Sequence, residues 1–171
     1  MTIPNTVTLS AELDLPAYLF GIAMLLIVML VHGLALLQIA KRYEVKSFLY
    51  LAEKKYSSVA LVFYISILCL FLTHIFEIIL WGISLRAFNL LPTLGESILF
   101  SGSTYTAMGF MNDPLPSGWK MLAIIIAFSG MFAFAWTASV MISMTKNFRQ
   151  AYTHLHMQKL KLPNEVIERF K

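Results

Sequence analysis

Charged side chains are scarce in this sequence. They account for 13% of its residues, whereas a soluble globular domain carries roughly 25%. Hydrophobic residues make up 58% of the chain. This balance excludes an ordinary soluble domain and is typical of a chain whose solvent is mostly lipid. The formal net charge of +4 therefore does not indicate nucleic-acid binding, and we expect a lipid bilayer as the partner instead.

Cysteine is also rare, and the common enzyme motifs are absent. The chain has one cysteine, Cys69, which excludes a disulfide within the chain. The sequence contains no glycine-rich phosphate loop, no nucleophile elbow and no HExxH zinc motif. We therefore expect no enzymatic activity and no cofactor.

Three apolar stretches are long enough to cross a bilayer, for which about 20 residues suffice in a helix. They cover residues 17–40, 58–85 and 119–145, and the only charges inside them are Glu77 and Lys120. Helix is expected because unpaired backbone groups are very costly in lipid. The sequence therefore predicts an all-α membrane protein with three transmembrane helices.

Basic residues are concentrated in two parts of the chain. Of the 13 Lys and Arg residues, all but Arg86 and Lys120 lie in the stretch 41–56 or in the tail from residue 146 onward. Cytoplasmic loops are enriched in Lys and Arg. We therefore predict a multi-pass protein of the cell (inner) membrane, with its N-terminus outside and its C-terminus in the cytoplasm.

The connection between the second and third spans contains a further semi-apolar stretch. Residues 96–105 (ESILFSGSTY) are too few to cross the membrane, and Pro92 and Thr93 precede them as helix-start residues. We predict a re-entrant helix here. The chain then divides into residues 1–57 (first span and basic loop), a module at 58–145 of two spans with the re-entrant helix between them, and a cytoplasmic tail at 146–171.

Residues 101–119 (SGSTYTAMGFMNDPLPSGW) resemble the pore loop of the bacterial two-transmembrane potassium channel family, whose pattern is close to STYTTVGYGD followed shortly by Trp. Residues 73–81 (THIFEIILW) and 133–141 (AFAWTASVM) resemble the outer and inner helices of that family. The resemblance covers about residues 73–145, and the first helix is an addition to it.

This resemblance implies a homotetrameric, potassium-channel-like pore built from four re-entrant helices and filter loops. The permeant ions would be monovalent cations such as K⁺ or Na⁺, which backbone carbonyls of the filter coordinate in this family. The matching positions assign the ion pathway to Thr106, Ala107, Met108, Gly109, Phe110 and Met111, and the pore mouth to Asn112 and Asp113.

The filter departs from the family pattern. The family's Thr-Val-Gly-Tyr-Gly is Ala-Met-Gly-Phe-Met here, at residues 107–111. A methionine in place of the second glycine reaches a positive φ only with strain, of order 1 kcal/mol per chain. We therefore predict an altered outer filter and a channel that is weakly selective or atypically gated. The alternative is a channel-like subunit that does not conduct and has a regulatory or structural role.

Ionisable residues inside the spans are functional candidates. His74 and Glu77 lie three residues apart and so share one helix face. They have three open interpretations: support of the pore helix, a pH-sensing pair, or metal ligands. Two ligands per chain are few for a metal, so we expect no metal site. His32, in the first span, is expected to be a packing histidine.

The third span contains a glycine and a candidate cavity-lining face. Gly130 is either a gating hinge or a point of close helix packing. We expect Phe134, Thr137 and Met141 to line the cavity below the filter.

Overall fold

The computed structural model describes residues 15–111 and 114–160. These residues form helices and connections without a β-strand, which confirms the all-α class for the described part of the chain. In order, the elements are α1 (Leu15–Ala52), α2 (Tyr56–Ala87), α3 (Leu94–Tyr105), a 3-10 turn (Ser117–Trp119) and α4 (Met121–Leu160).

Three of the helices are long and apolar enough to cross a membrane. Among the described residues, these are α1, α2 and the region Ser117–His154, which joins the 3-10 turn to most of α4. Their surfaces carry many exposed leucine, isoleucine and phenylalanine side chains, as expected where lipid rather than water surrounds a helix. The prediction of three membrane-length helices is therefore confirmed.

The long helices extend beyond the apolar stretches that predicted them. Helix α1 continues from Ala40 through the basic segment to Ala52, so most of the predicted cytoplasmic loop is helical. Tyr43 and Ser47 are fully buried and lie four residues apart, on one helix face. Tertiary packing along this face explains why the helix does not end where the basic residues begin.

The described chain forms two compact units. Unit 1 consists of residues 15–28 and Ile78–Met131, and unit 2 consists of Met29–Glu77 and residues 132–160. Each unit contains a part of α1, of α2 and of α4, and α3 belongs to unit 1. The first candidate site lies within unit 1 and the second within unit 2.

In unit 1, a buried hydrogen bond joins α2 to α4. The indole Nε1–H of Trp81, which is fully buried, donates to Ser129 Oγ at 3.1 Å. The Ser129 hydroxyl donates in turn to the carbonyl of Ile126 at 2.7 Å. A buried indole N–H needs such a partner, so this contact fixes the two helices relative to each other within the unit.

Trp81→Phe is expected to lower the free energy of unfolding by about 2 kcal/mol, since it removes the buried hydrogen bond and leaves part of the indole volume empty. Equilibrium unfolding in mixed detergent micelles, followed by helical circular dichroism, measures this loss. Trp136→Phe is the matched control, because Trp136 is 45% exposed and should cost less. Equal losses in the two variants would contradict the assigned role of Trp81.

The core of unit 2 is aromatic and aliphatic. Its buried cluster consists of Leu36, Tyr43, Phe63, Leu70 and Met144. The Tyr43 hydroxyl donates to the carbonyl of Met144 at 2.9 Å, which satisfies the one polar atom of this side chain. The cluster therefore joins α1, α2 and α4 inside the unit.

Candidate functional site

The first candidate site begins with helix α3, which is capped at its N-terminus. The side chain of Thr93 accepts a hydrogen bond from the backbone N–H of Glu96 at 3.2 Å. A Thr followed three residues later by Glu is a helix-start pattern, and Glu96 also lies near the positive end of the helix dipole. The helix start that Pro92 and Thr93 predicted is therefore present.

Helix α3 packs closely against its neighbours in unit 1. A Cβ added at Gly82 of α2 would lie 2.8 Å from the Cα of Ile98. A Cβ added at Gly130 of α4 would overlap the backbone carbonyl of Tyr105. Both glycines therefore let a helix approach the α3 backbone, which gives Gly130 a packing contact. Its role as a gating hinge stays a prediction.

The chain that follows α3 is anchored to the end of this helix through its own N–H groups. Ser103 accepts three of these hydrogen bonds. Its carbonyl accepts from Met108 at 3.0 Å and from Gly109 at 3.2 Å, and its hydroxyl oxygen accepts from Phe110 at 3.1 Å. This arrangement holds the predicted filter segment directly beside the C-terminal end of α3.

Two residues of this segment adopt left-handed backbone conformations. Ala107 has φ 56° and Gly109 has φ 62°. For alanine this conformation costs about 1 kcal/mol, and the hydrogen-bonded turn on Ser103 holds it in place. Met111 is not among the described residues with positive φ, so the strain expected for methionine at this position does not arise in this conformation.

The side chains of the segment are not covered by the chain itself. Met108 is 72% exposed and Phe110 is 59% exposed. Thr106 is also exposed, and its hydroxyl donates to the carbonyl of Gly102 at 2.7 Å. The predicted pore-mouth residues Asn112 and Asp113 lie outside the described residues.

The second candidate site is a buried polar cluster in unit 2, which we call the histidine cluster: His32, His74, Glu77 and Thr137. His32 Nδ1 lies 2.7 Å from Glu77 Oε1. Thr137 Oγ1 lies 3.3 Å from His32 Nε2 and 3.1 Å from His74 Nε2. All four residues are buried, and His32 and Glu77 are completely so.

These contacts form a consistent hydrogen-bonded chain. If Glu77 is ionised, it accepts from His32 Nδ1–H, and His32 Nε2 is then an acceptor for the Thr137 hydroxyl. The Thr137 oxygen can in turn accept from His74 Nε2–H. One imidazole and one hydroxyl thus link a buried carboxylate to a second histidine without an unmatched donor along this chain.

Aromatic rings surround the histidine cluster. The ring of Phe134 stacks on His74 with centroids 4.5 Å apart, and Trp136 lies 5.8 Å from His32. A Cβ added at Gly33 would lie 2.8 Å from the Trp136 ring. The imidazoles are therefore held among bulky groups, which limits their rotation and excludes water.

The structure contradicts one expectation here and adds a partner to another. Thr137 is 7% exposed and bonded to both histidines, so it faces the interior of its own chain and the expectation that it lines a cavity is wrong. His32 was expected to be a satisfied packing histidine; it is buried and hydrogen-bonded, and its partner is Glu77. The available signal for this pairing was one histidine inside the first apolar span and one acid inside the second.

Comparison of the chain with family models, with curated proteins and with solved structures found no match in any of the three.

Proposed function

We propose that this protein is a cation channel subunit of the potassium-channel superfamily, which assembles as a homotetramer around α3 and the segment 106–111. Its filter sequence is non-standard, and we infer a pore of weak selectivity or atypical gating for monovalent cations such as K⁺ or Na⁺. Each chain contributes one quarter of such a pore, so assembly is required by geometry.

The observation that carries this proposal is the anchored segment after α3. A 12-residue helix, too short to span, lies between two membrane-length helices, and residues 107–110 fold back onto its end through their N–H groups. With its donors occupied in this way, a backbone segment can offer carbonyl oxygens to an ion. The motif resemblance over residues 73–145 agrees with this use.

Exposure of the same segment supports assembly. Met108 and Phe110 are large apolar side chains at the end of α3, 72% and 59% exposed. Further copies of the chain would cover them in a tetramer, whereas they remain uncovered in a single chain. We propose a re-entrant arrangement in the inner membrane, with α3 entering from the outer side and the chain's basic segments in the cytoplasm.

Ion flux into liposomes tests the proposal. The protein is reconstituted beside a variant that restores the family pattern, Ala107→Thr, Met111→Gly and Asn112→Asp. We expect the native protein to conduct K⁺ and Na⁺ with little discrimination, and the variant to favour K⁺ more strongly, because glycine and threonine recover the torsions and hydroxyl that the family filter uses.

Cross-linking and native mass spectrometry of the same preparations give the subunit count. The native protein could form a tetramer that shows no flux while the restored variant does conduct. That result would favour the non-conducting regulatory or structural role over the conducting channel. A monomer, or silence of both proteins in well-formed tetramers, would overturn the channel proposal.

A further inference from the structure

The geometry points to a binding site for one divalent transition-metal ion of the Zn²⁺ class, with His32, His74 and Glu77 as its protein ligands. This site lies in unit 2 and is independent of the proposed ion pathway. It reverses the sequence-based expectation that no metal is bound, which rested on there being only two ligands per chain.

The donor set and its spacing fit such an ion. One ligand atom from each of the three residues lies within 4.8 Å of the other two. Zn²⁺ binds His nitrogen and carboxylate oxygen at about 2.0–2.1 Å, which places tetrahedral ligands about 3.3 Å apart. The closest present pair, His32 Nδ1 and Glu77 Oε1 at 2.7 Å, has to open by about 0.6 Å, within reach of side-chain rotation.

Two helices supply the ligands and hold them close to the required spacing. His74 and Glu77 lie one turn apart on α2 and share a helix face, and His32 of α1 completes the set. Two histidines and one glutamate are the protein ligands of a well-known type of zinc site, which leaves one position for another donor. The Thr137 hydroxyl lies 3.3 Å from His32 Nε2, on the ring edge away from Nδ1, where a hydrogen bond can orient this imidazole as a ligand.

Charge favours the ion as well. A carboxylate that is completely buried in a membrane-length helix is costly unless a positive charge accompanies it. A divalent cation would bring two positive charges to the Glu77 oxygens at distances shorter than any hydrogen bond. The rings of Phe134 and Trp136 beside the histidines exclude competing water and hold the ligand orientation.

Metal binding to the full-length protein, purified without a polyhistidine tag, is the test. The protein is stripped with a chelator in detergent and titrated with Zn²⁺ or with Co²⁺ as a spectroscopic substitute. His74→Gln and Glu77→Gln are compared with His154→Gln, a matched histidine control in which the ring stacks on Tyr56. We expect one ion per chain in the native protein and the control, and affinity at least about 100-fold weaker in the other two variants.

X-ray absorption of the Zn²⁺-loaded native protein keeps the test independent of how the variants fold. It should report two imidazoles in a four-coordinate nitrogen and oxygen shell. Absence of stoichiometric binding to the native protein would overturn the inference and leave a hydrogen-bonded cluster. So would binding that His154→Gln abolishes and His74→Gln does not. Neither result depends on ion flux, so the channel proposal stands or fails separately.

Discussion

His32→Leu is expected to lower the free energy of unfolding of the metal-free protein by about 3 kcal/mol. The imidazole of His32 lies 2.7 Å from Glu77 Oε1, and both side chains are completely buried. The substitution keeps most of the side-chain volume and deletes this hydrogen bond, so the carboxylate loses a buried partner without gaining access to solvent. Equilibrium unfolding in mixed micelles that contain a chelator measures the effect.

A double-mutant cycle shows whether the loss belongs to the pair. His32→Leu with Glu77→Leu should recover most of the stability, because removal of both partners of a buried polar pair in favour of apolar groups is often neutral or stabilising. Additive losses in the double variant would instead show that the two residues act separately. His154→Leu, at a partly exposed position, is the control and should change stability by less than about 0.5 kcal/mol.

Gly130→Ala is expected to destabilise the protein by about 3 kcal/mol, the upper end of the usual cost of overpacking. The added Cβ would overlap the backbone carbonyl of Tyr105, at the end of α3. A carbonyl in a helix cannot rotate away as a side-chain tip can, so α4 and α3 have to move apart. The same unfolding assay detects the loss, and displacement of Tyr105 should also disturb the segment that starts at Thr106.

Gly95→Ala is the matched control for Gly130→Ala. A Cβ at Gly95 has no atom within 4 Å, so this variant should be neutral or more stable by up to about 1 kcal/mol. If both variants keep the native stability but Gly130→Ala alone changes flux, Gly130 is a hinge rather than a packing contact. Equal stability loss in both would contradict the contact assigned to Gly130, because Gly→Ala within a helix by itself favours the helix.

Most of the helical architecture was predictable from residue types alone. Runs of apolar residues longer than about 20 predict membrane-length helices, because lipid offers the backbone no other hydrogen-bonding partner. Pro92 and Thr93 similarly predicted the start of α3, since the Thr93 cap is a contact between neighbours in sequence. The extension of α1 to Ala52 was not predicted, although Lys and Arg are good helix formers, because their charge was used only to indicate where the membrane ends.

The two candidate sites differ in how far the sequence could predict them. The predicted filter segment is local in sequence, so its motif and its fold-back onto α3 concern residues only a few positions apart. His32 and Glu77 are 45 residues apart, and Thr137 is 63 residues from His74. Whether these side chains meet depends on the rotation and offset of α1, α2 and α4 within unit 2. By itself the sequence determined the all-α class and the three membrane-length helices. Only the tertiary structure brought the two histidines, the carboxylate and the hydroxyl together, because no periodicity within one helix encodes how it packs against another.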